Sequence, residues 1–372
     1  MFRDTRLKKV PFLNFAAQFE LEREAILGAV TRVFERGDFI LGKEVEAFEQ
    51  DFARICNARH AIGVANGTDA LIMALRALGI GPGDEVITAS NSWVSSASAV
   101  ALLGATPVFA DVNDDQNISP DAIEAAITSK TKAIMPVHLT GRCADLPRIL
   151  KLAGKYGLPV VEDAAQSVTA RIGDLTAGSA GTIGCFSLHP LKNLNAAGDA
   201  GVITTNDDKL AATLRLLGHH GLKNREEIVR WGYNSRLDTL QAAILRTRIP
   251  RLESVIQKRR TNAERYTRLL KDVVACPVER AGEWHTYHVY VIQCERREEL
   301  RAYLSERGID TKIHYPIPIH MQEAAQALGY RKGSLPNTER QAQRILSLPV
   351  HSYLSEEQVE LVAAAVRDFY SK

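Results

Sequence analysis

The stretch "LPRILKLAGKYGLPVVEDAAQS", residues 146–167, decides the fold class. Apolar residues in its first half, residues 146–156, recur at the three- and four-residue spacing of a helix. After Gly157, the segment "PVVED" is too short for a helix and is rich enough in β-branched residues for a buried strand. A helix that leads into a buried strand is the repeating unit of a parallel sheet covered on both faces.

The same alternation runs from about residue 39 to residue 206. Short apolar runs such as "HAIGVANG" and "DEVITAS" alternate with amphipathic stretches such as "TDALIMALRAL". This pattern predicts βαβ units, and therefore a three-layer αβα domain around a mostly parallel sheet. Near Pro250 the pattern changes to a long charged helix, an aromatic strand and another helix. Because single cores stop growing near about 250–300 residues, we predict a large domain at residues 1–250 and a smaller C-terminal α/β domain at residues 251–372.

Composition excludes several classes of function. The chain has 372 residues with a formal net charge of +2, which leaves no strong field for nucleic acid or a membrane surface. Its five cysteines are widely spaced without a CxxC pair, so we expect neither disulfides nor a metal site. No run of about 18 apolar residues and no signal peptide is recognisable. These features predict a soluble protein of the reducing cytoplasm.

Candidate site residues follow the predicted strands, because ligands of open α/β sheets bind beyond the carboxyl ends of the strands. The turn "NGTD" holds Gly67, Thr68 and Asp69 at the start of an amphipathic helix, where free N–H groups and the helix dipole favour a phosphate. The same turn also fits an ordinary helix N-cap. Trp93 follows another predicted strand, where its indole could stack on a planar ring or simply belong to the core.

Two further strand ends carry charged or polar groups. Asp163 and Gln166 follow the strand of "PVVED", where a carboxylate needs a cationic or hydrogen-bonding partner. Ser187 precedes Lys192 in "GCFSLHPLKN", where a lysine at the end of a sheet can have the lowered pKa that imine formation requires. A phosphate seat, a ring stacker, an acid and an imine-forming lysine together match pyridoxal 5′-phosphate.

The chain resembles the DegT/StrS sugar aminotransferases, which are pyridoxal-phosphate enzymes of fold type I in the aspartate aminotransferase superfamily. The resemblance covers nearly the whole length. It rests on the motifs "FILGKEVEAFEQDFA", "VEDAAQSVTA", "FSLHPLKNLNAAGDAGVI", "WGYNSRLDTLQAAIL" and "HYPIPIHMQ".

The resemblance implies a role for each candidate residue. Lys192 would hold the cofactor as an imine and move the proton in catalysis, and Asp163 would pair with the ring nitrogen. Gln166 would contact the side of the ring that carries the oxygen, and Trp93 would stack on the ring. The phosphate would be bound by Ser187, Gly67, Thr68 and Asp69. The asparagine of "GYNSRLD", Asn234, would reach the cofactor phosphate of a second subunit, which implies a homodimer with shared active sites.

The implied reaction is transfer of an amino group from glutamate to a keto-deoxysugar linked to a nucleoside diphosphate, in a ping-pong cycle through pyridoxamine phosphate. Lys192 stands where dehydratases of this family carry histidine, so we expect an aminotransferase. Overall similarity favours C-3 of a dTDP-3-keto-6-deoxyhexose. A C-4 aminotransferase and a non-catalytic regulatory or sensing protein are the alternatives. Tyr315 and His320 are the candidate substrate contacts, and Lys223 or Arg225 could neutralise a phosphate.

Overall fold

A computed structural model of the chain describes residues 9–371. No helix within that range combines the length and apolarity needed to cross a membrane. The α-helices of the described residues are α1 (Phe15–Arg36), α2 (Lys43–Ile55), α3 (Gly67–Ala77), α4 (Ser95–Ala101), α5 (Pro120–Ala126), α6 (Leu146–Tyr156), α7 (Asp208–Gly218), α8 (Thr239–Arg248), α9 (Leu252–Leu270), α10 (Arg297–Glu306), α11 (Pro336–Ala342) and α12 (Glu356–Tyr370). The strands are β1 (His60–Val64), β2 (Glu85–Ala89), β3 (Thr106–Ala110), β4 (Thr131–Met135), β5 (Val161–Asp163), β6 (Arg171–Ile172), β7 (Leu175–Thr176), β8 (Ile183–Ser187), β9 (Gly201–Thr205), β10 (Glu283–Trp284), β11 (Tyr290–Gln293) and β12 (Ile345–Leu348).

Seven strands form the central sheet. One group has the order β3-β2-β4 and the other β5-β8-β9-β1. Parallel bridges from Ile134 to Val160 and from Val137 to Asp163 join the two groups. Strand β9 is antiparallel to both of its neighbours, whereas the other pairings are parallel. The predicted mostly parallel sheet is thus confirmed.

Neighbouring residues on each strand point to opposite faces, and each face has its own core. Ile62, Cys185 and Ile203 lie in one core with α3 and α7. Phe186 and Val202, each one residue away along its strand, lie in another core with α2 and α8. Helices α5 and α6 pack with the β2, β3 and β4 part of the sheet. Helices on both faces complete the three predicted layers.

A separate core is built from the C-terminal third of the chain. It contains strands β11 and β12, helices α10 and α12, and the second half of α9. The first half of α9 belongs instead to a core of the central sheet through Leu252 and Ile256. Val10 pairs with Ile309 of this C-terminal region. Since α9 contributes to both cores, the domain boundary at residue 250 stays a prediction.

The topology brings the candidate residues to one edge of the sheet. Strands β1, β2, β5 and β8 run in the same direction, so their carboxyl ends meet at that edge. The residues that directly follow or end these strands are the turn before α3, the "NSW" segment, Asp163 and Ser187.

Candidate active site

Lys192 lies in the loop between β8 and β9, where its backbone N–H donates to the carbonyl of His189 at 2.9 Å. The side chain is partly buried, and its Nζ atom has no hydrogen-bond partner within residues 9–371. Loss of solvent lowers the pKa of Lys192 from 10.5 to about 8, although the nearby charge of Asp163 acts in the opposite direction. A partly neutral amine without a partner is suited to act as a nucleophile.

Asp163 ends β5 and is buried. Its Oδ2 atom accepts a hydrogen bond of 2.7 Å from the hydroxyl of Ser96, and Oδ1 accepts one of 3.2 Å from the N–H of Ala165. The hydroxyl of Ser96 lies 2.7 Å from that of Ser92. These hydrogen bonds fix the orientation of the carboxylate and compensate part of the cost of burying it.

Gln166 and Tyr315 lie beside Asp163. The Oε1 atom of Gln166 accepts from the N–H of Thr140 at 2.7 Å, and its Nε2 atom donates to the hydroxyl of Tyr315 at 3.2 Å. Burial raises the pKa of Tyr315, and the charge of Asp163 raises it further. The phenol therefore stays protonated. The ring of Tyr315 also lies 5.9 Å from that of Trp93, whose side chain is exposed. Trp93 is therefore not a core residue, and one face of its indole is available for stacking.

The N-terminus of α3 forms a narrow seat against β8. Asn66 caps the helix by accepting from the N–H of Asp69 at 2.8 Å, whereas the N–H groups of Gly67 and Thr68 make no hydrogen bond within the described residues. A Cβ atom on Gly67 would lie 2.7 Å from Cβ of Ser187, so only glycine allows the two segments to approach this closely. Free N–H groups at a helix N-terminus next to a hydroxyl match an anion such as phosphate.

These residues fit pyridoxal 5′-phosphate. The close approach at Gly67 leaves a cradle for the phosphate of the cofactor. The unpartnered amine of Lys192 is available to form an imine with the aldehyde carbon of the cofactor. The buried carboxylate of Asp163 suits a protonated ring nitrogen, and the exposed indole of Trp93 suits the ring face.

Two predicted residues lie apart from this cluster. Asn234 is exposed and pairs only through its backbone, with His219. Among the described residues it forms no hydrogen bond with any of the other candidates. His320 is buried, with Nδ1 at 2.7 Å from the hydroxyl of Ser90 and Nε2 at 3.1 Å from a carboxylate oxygen of Glu339. Since both ring nitrogens are occupied, the structure supports a structural role for His320 rather than the predicted substrate contact.

Lys223 and Arg225, which were predicted to neutralise a phosphate, lie in an exposed loop. Lys223 forms an ion pair of 3.2 Å with Glu227, and Arg225 is exposed as well. Within residues 9–371, no hydrogen bond or ion pair joins either residue to the cluster around Lys192.

Sequence reasoning missed several residues of the site. Ser96 orients Asp163, and it stands in the same "NSWVSS" segment that drew attention to Trp93. His288 and His314 lie near Lys192. Burial lowers the pKa of both imidazoles, and the charge of Lys192 lowers it further. Only the four-residue spacing of Ser92 and Ser96 offered a signal in the sequence; the histidines are brought in by the C-terminal region.

A comparison with family models finds that the DegT/DnrJ/EryC1/StrS aminotransferase family matches residues 20–367. The chain is 44% identical to a pleiotropic regulatory protein of Geobacillus stearothermophilus, over 97% of this chain and 98% of the relative. It is 41% identical to a dTDP-3-amino-3,4,6-trideoxy-alpha-D-glucose transaminase of Streptomyces venezuelae, over 97% and 96%. It is 43% identical to a UDP-N-acetyl-3-dehydro-alpha-D-glucosamine 3-aminotransferase of Acidithiobacillus ferrooxidans, over 98% of both chains.

The fold is also that of a solved structure. The crystal structure of DesV of S. venezuelae in complex with a ketimine intermediate superposes with a TM-score of 0.96 at 41% identity. The match covers 98% of this chain and 99% of that one.

Proposed function

Because the chain belongs to the DegT/DnrJ/EryC1/StrS aminotransferase family, we propose that it transfers the amino group of glutamate to C-3 of a keto-deoxysugar linked to a nucleoside diphosphate. The observation that carries the proposal is the buried Asp163 near the partly neutral, unpartnered amine of Lys192. The names of the Streptomyces and Acidithiobacillus relatives support a 3-amino product. The first of them also supports a dTDP-linked 6-deoxyhexose as acceptor.

Pyridoxal 5′-phosphate, when bound, supplies a carbon that exchanges amino groups and a ring that withdraws electrons from it. Lys192 supplies the amine. With a pKa of about 8, about one molecule in ten has this lysine in its neutral form at pH 7. An ordinary lysine with a pKa of 10.5 would be neutral in well under one molecule in a thousand. The lowered pKa therefore makes Lys192 both a nucleophile and a carrier of the proton that moves during transamination.

Asp163 would keep the ring nitrogen of the bound cofactor protonated, because it offers a carboxylate as the partner of that nitrogen. Its two oxygens are held by Ser96 and Ala165, so the carboxylate does not have to reorient during the reaction. Gln166 is held by Thr140 and Tyr315, and its amide would contact the side of the cofactor ring that carries the oxygen. The burial of these groups excludes water and strengthens each charge interaction.

We also propose a homodimer with shared sites. Near Asn234, the side chains of Ile228 and Trp231 are 60% and 91% exposed, and Phe34 of α1 is 61% exposed. We take these exposed apolar side chains as support for an interface with a second copy. A second copy that covers them would bring Asn234 to the phosphate of its neighbour. The cytoplasm is the proposed location, where the five free cysteines stay reduced.

An absorption experiment tests the reaction. Cofactor-loaded protein is expected to show a visible band that moves to the ultraviolet when glutamate is added and returns when a nucleotide-linked keto sugar follows. Lys192→Ala should lack the lysine-dependent band. A wild-type band that no amino donor changes would contradict the proposal.

Mixed dimers test the shared site. Lys192→Ala and Asn234→Ala proteins are each expected to be inactive or severely impaired, but dimers of one of each would contain one intact site. Activity should therefore reappear when the two proteins are unfolded and refolded together. If both residues served the same subunit, the mixed dimer would keep no site with both residues intact, and no activity would return.

The similarity to the Geobacillus protein favours a second candidate, a regulatory or sensing protein on the same fold. Such a protein would bind the cofactor without converting it. Single-turnover conversion by glutamate followed by return with a keto sugar separates the two candidates.

A further inference from the structure

Arg259 is a buried cation that has no counter-ion among residues 9–371. It lies on α9 with 5% of its surface exposed. Its Nη1 atom donates to the carbonyls of Tyr287 at 3.0 Å and His288 at 3.1 Å, and its Nε atom is buried without a partner. Burial lowers the pKa of Arg259 to about 10. No carboxylate within residues 9–371 forms an ion pair with it.

The absence of a carboxylate is unusual for an arginine this deep. Arg142, the other arginine of comparable burial in the described chain, forms an ion pair with Glu283. A buried charge that meets only neutral carbonyls is costly, and an anion that binds to it recovers part of that cost. Arg259 is therefore poised for an anion from outside the chain.

Lys192 also lines the cavity beside Arg259. Its charged lining consists of Lys192, Arg248, Arg251, Arg259 and a single carboxylate, Glu22. Glu22 is already engaged by Arg248 at 2.9 Å and lies 3.8 Å from Arg251. The excess of positive charge favours an anionic ligand group. The cavity volume of about 40 Å³ admits a group of the size of a carboxylate but not a nucleotide.

A short segment of backbone couples the two cations. Asn193, the residue after Lys192, donates from Nδ2 to the carbonyl of Thr286 at 2.9 Å. Arg259 holds the next two carbonyls, those of Tyr287 and His288, from the other side. An anion bound to Arg259 would thus be fixed relative to the loop that carries the reactive amine.

We propose that Arg259 binds a carboxylate of the amino donor and so positions the donor amine at the reaction centre next to Lys192. This inference rests on the proposed function, because it assigns the donor subsite of that reaction. A guanidinium offers paired N–H groups in the geometry that a carboxylate accepts, which a lysine cannot reproduce. The acid group of a sugar acceptor would present the same chemistry, and the experiment separates these two sources.

Calorimetric titration of the cofactor-loaded protein with glutarate tests the site directly. Glutarate carries the carboxylates of glutamate without an amino group, so it binds without reacting. Arg259→Met removes one partner of a desolvated charge pair. We therefore expect it to bind glutarate at least about 30-fold more weakly than wild type. Arg259→Lys should recover only a small part of this loss. Arg265→Met is the matched control, since Arg265 lies on the same helix but pairs with Glu356 and Glu360.

The two half-reactions identify the source of the carboxylate. Arg259→Met should raise the glutamate concentration needed for half-maximal conversion by a similar factor, while the return reaction with a keto sugar keeps its KM. A rise confined to the sugar half-reaction would overturn the donor assignment. Equal glutarate affinity in wild type and Arg259→Met would overturn the site itself and leave Arg259 as a clamp on the backbone. Failure of the proposed function would instead appear as wild-type protein that glutamate does not convert.

Discussion

The depressed pKa of Lys192 leads to a prediction about stability that is independent of catalysis. Replacing Lys192 by methionine keeps a similar length and removes the charge. A fall of the pKa from 10.5 to about 8 corresponds to about 3 kcal/mol, at 1.36 kcal/mol for each tenfold change in proton affinity. In the cofactor-free protein at pH 7, Lys192→Met should therefore be more stable than wild type by up to about 3 kcal/mol.

The sign of the pH dependence follows from the protonation states. Below pH 8 the lysine is charged in both the folded and the unfolded chain, so the folded wild type carries the full cost of burying the charge. Between pH 8 and pH 10.5 the unfolded chain binds more protons than the folded one, and the stability of the wild type rises with pH. The advantage of Lys192→Met should decline over this window and disappear above it.

Urea unfolding of cofactor-free protein, followed by tryptophan fluorescence from pH 7 to pH 10, measures the difference. Lys155→Met is the control, because Lys155 is exposed and pairs with Glu124, which raises its pKa. It should give no stabilisation at pH 7. Two results would refute the conclusion that the amine of Lys192 is desolvated. One is a Lys192→Met protein that is no more stable than wild type at pH 7, and the other is a stability difference that stays constant up to pH 10.

Three further substitutions test individual contacts of the site. Ser96→Ala removes the hydroxyl that donates to Asp163 at 2.7 Å, and loss of a hydrogen bond to a charged group predicts an about 10- to 100-fold slower glutamate half-reaction in stopped-flow absorbance. Gly67→Ala places a Cβ atom 2.7 Å from that of Ser187 and should weaken cofactor binding about tenfold in an absorbance titration. His320→Phe removes the side-chain hydrogen bonds to Ser90 and Glu339 and should lower the free energy of unfolding by about 1–3 kcal/mol in urea, with the KM for the sugar unchanged.

Each of these outcomes can be contradicted. Gly154→Ala is a control for the glycine substitution, since a Cβ atom there meets nothing within 4 Å. Cofactor affinity that is equal in Gly67→Ala and Gly154→Ala would show that the approach to β8 does not shape the phosphate seat. A raised sugar KM in a stable His320→Phe protein would restore His320 as a substrate contact. An unchanged rate of the glutamate half-reaction in Ser96→Ala would mean that the hydrogen bond from Ser96 to Asp163 does not contribute to catalysis.

The sequence predicted the layers and the sheet because hydrophobic periodicity depends on local spacing. It also predicted Lys192 and Asp163 as site residues, since both follow strands whose carboxyl ends must meet, and the structure places them near each other. It could not identify Ser96 as the partner of Asp163, because that contact joins residues 67 positions apart. The prediction for His320 failed to anticipate burial, which results from packing of the C-terminal region against Ser90. The role of Asn234 stays a prediction, because its proposed ligand belongs to a second subunit.

The electrostatics of the site connect the fold to its ligands. Lys192 and Arg259 are both desolvated cations, and burial lowers the pKa of each. Such an arrangement is unfavourable in the empty protein, and it becomes favourable when anionic groups arrive. The free N–H groups at Gly67 and Thr68 add partial positive charge at the same edge of the sheet. A cofactor with a phosphate and a donor with carboxylates each supply what the protein lacks. We therefore expect the same burial that lowers stability without ligands to make Lys192 reactive and to give Arg259 affinity for a carboxylate.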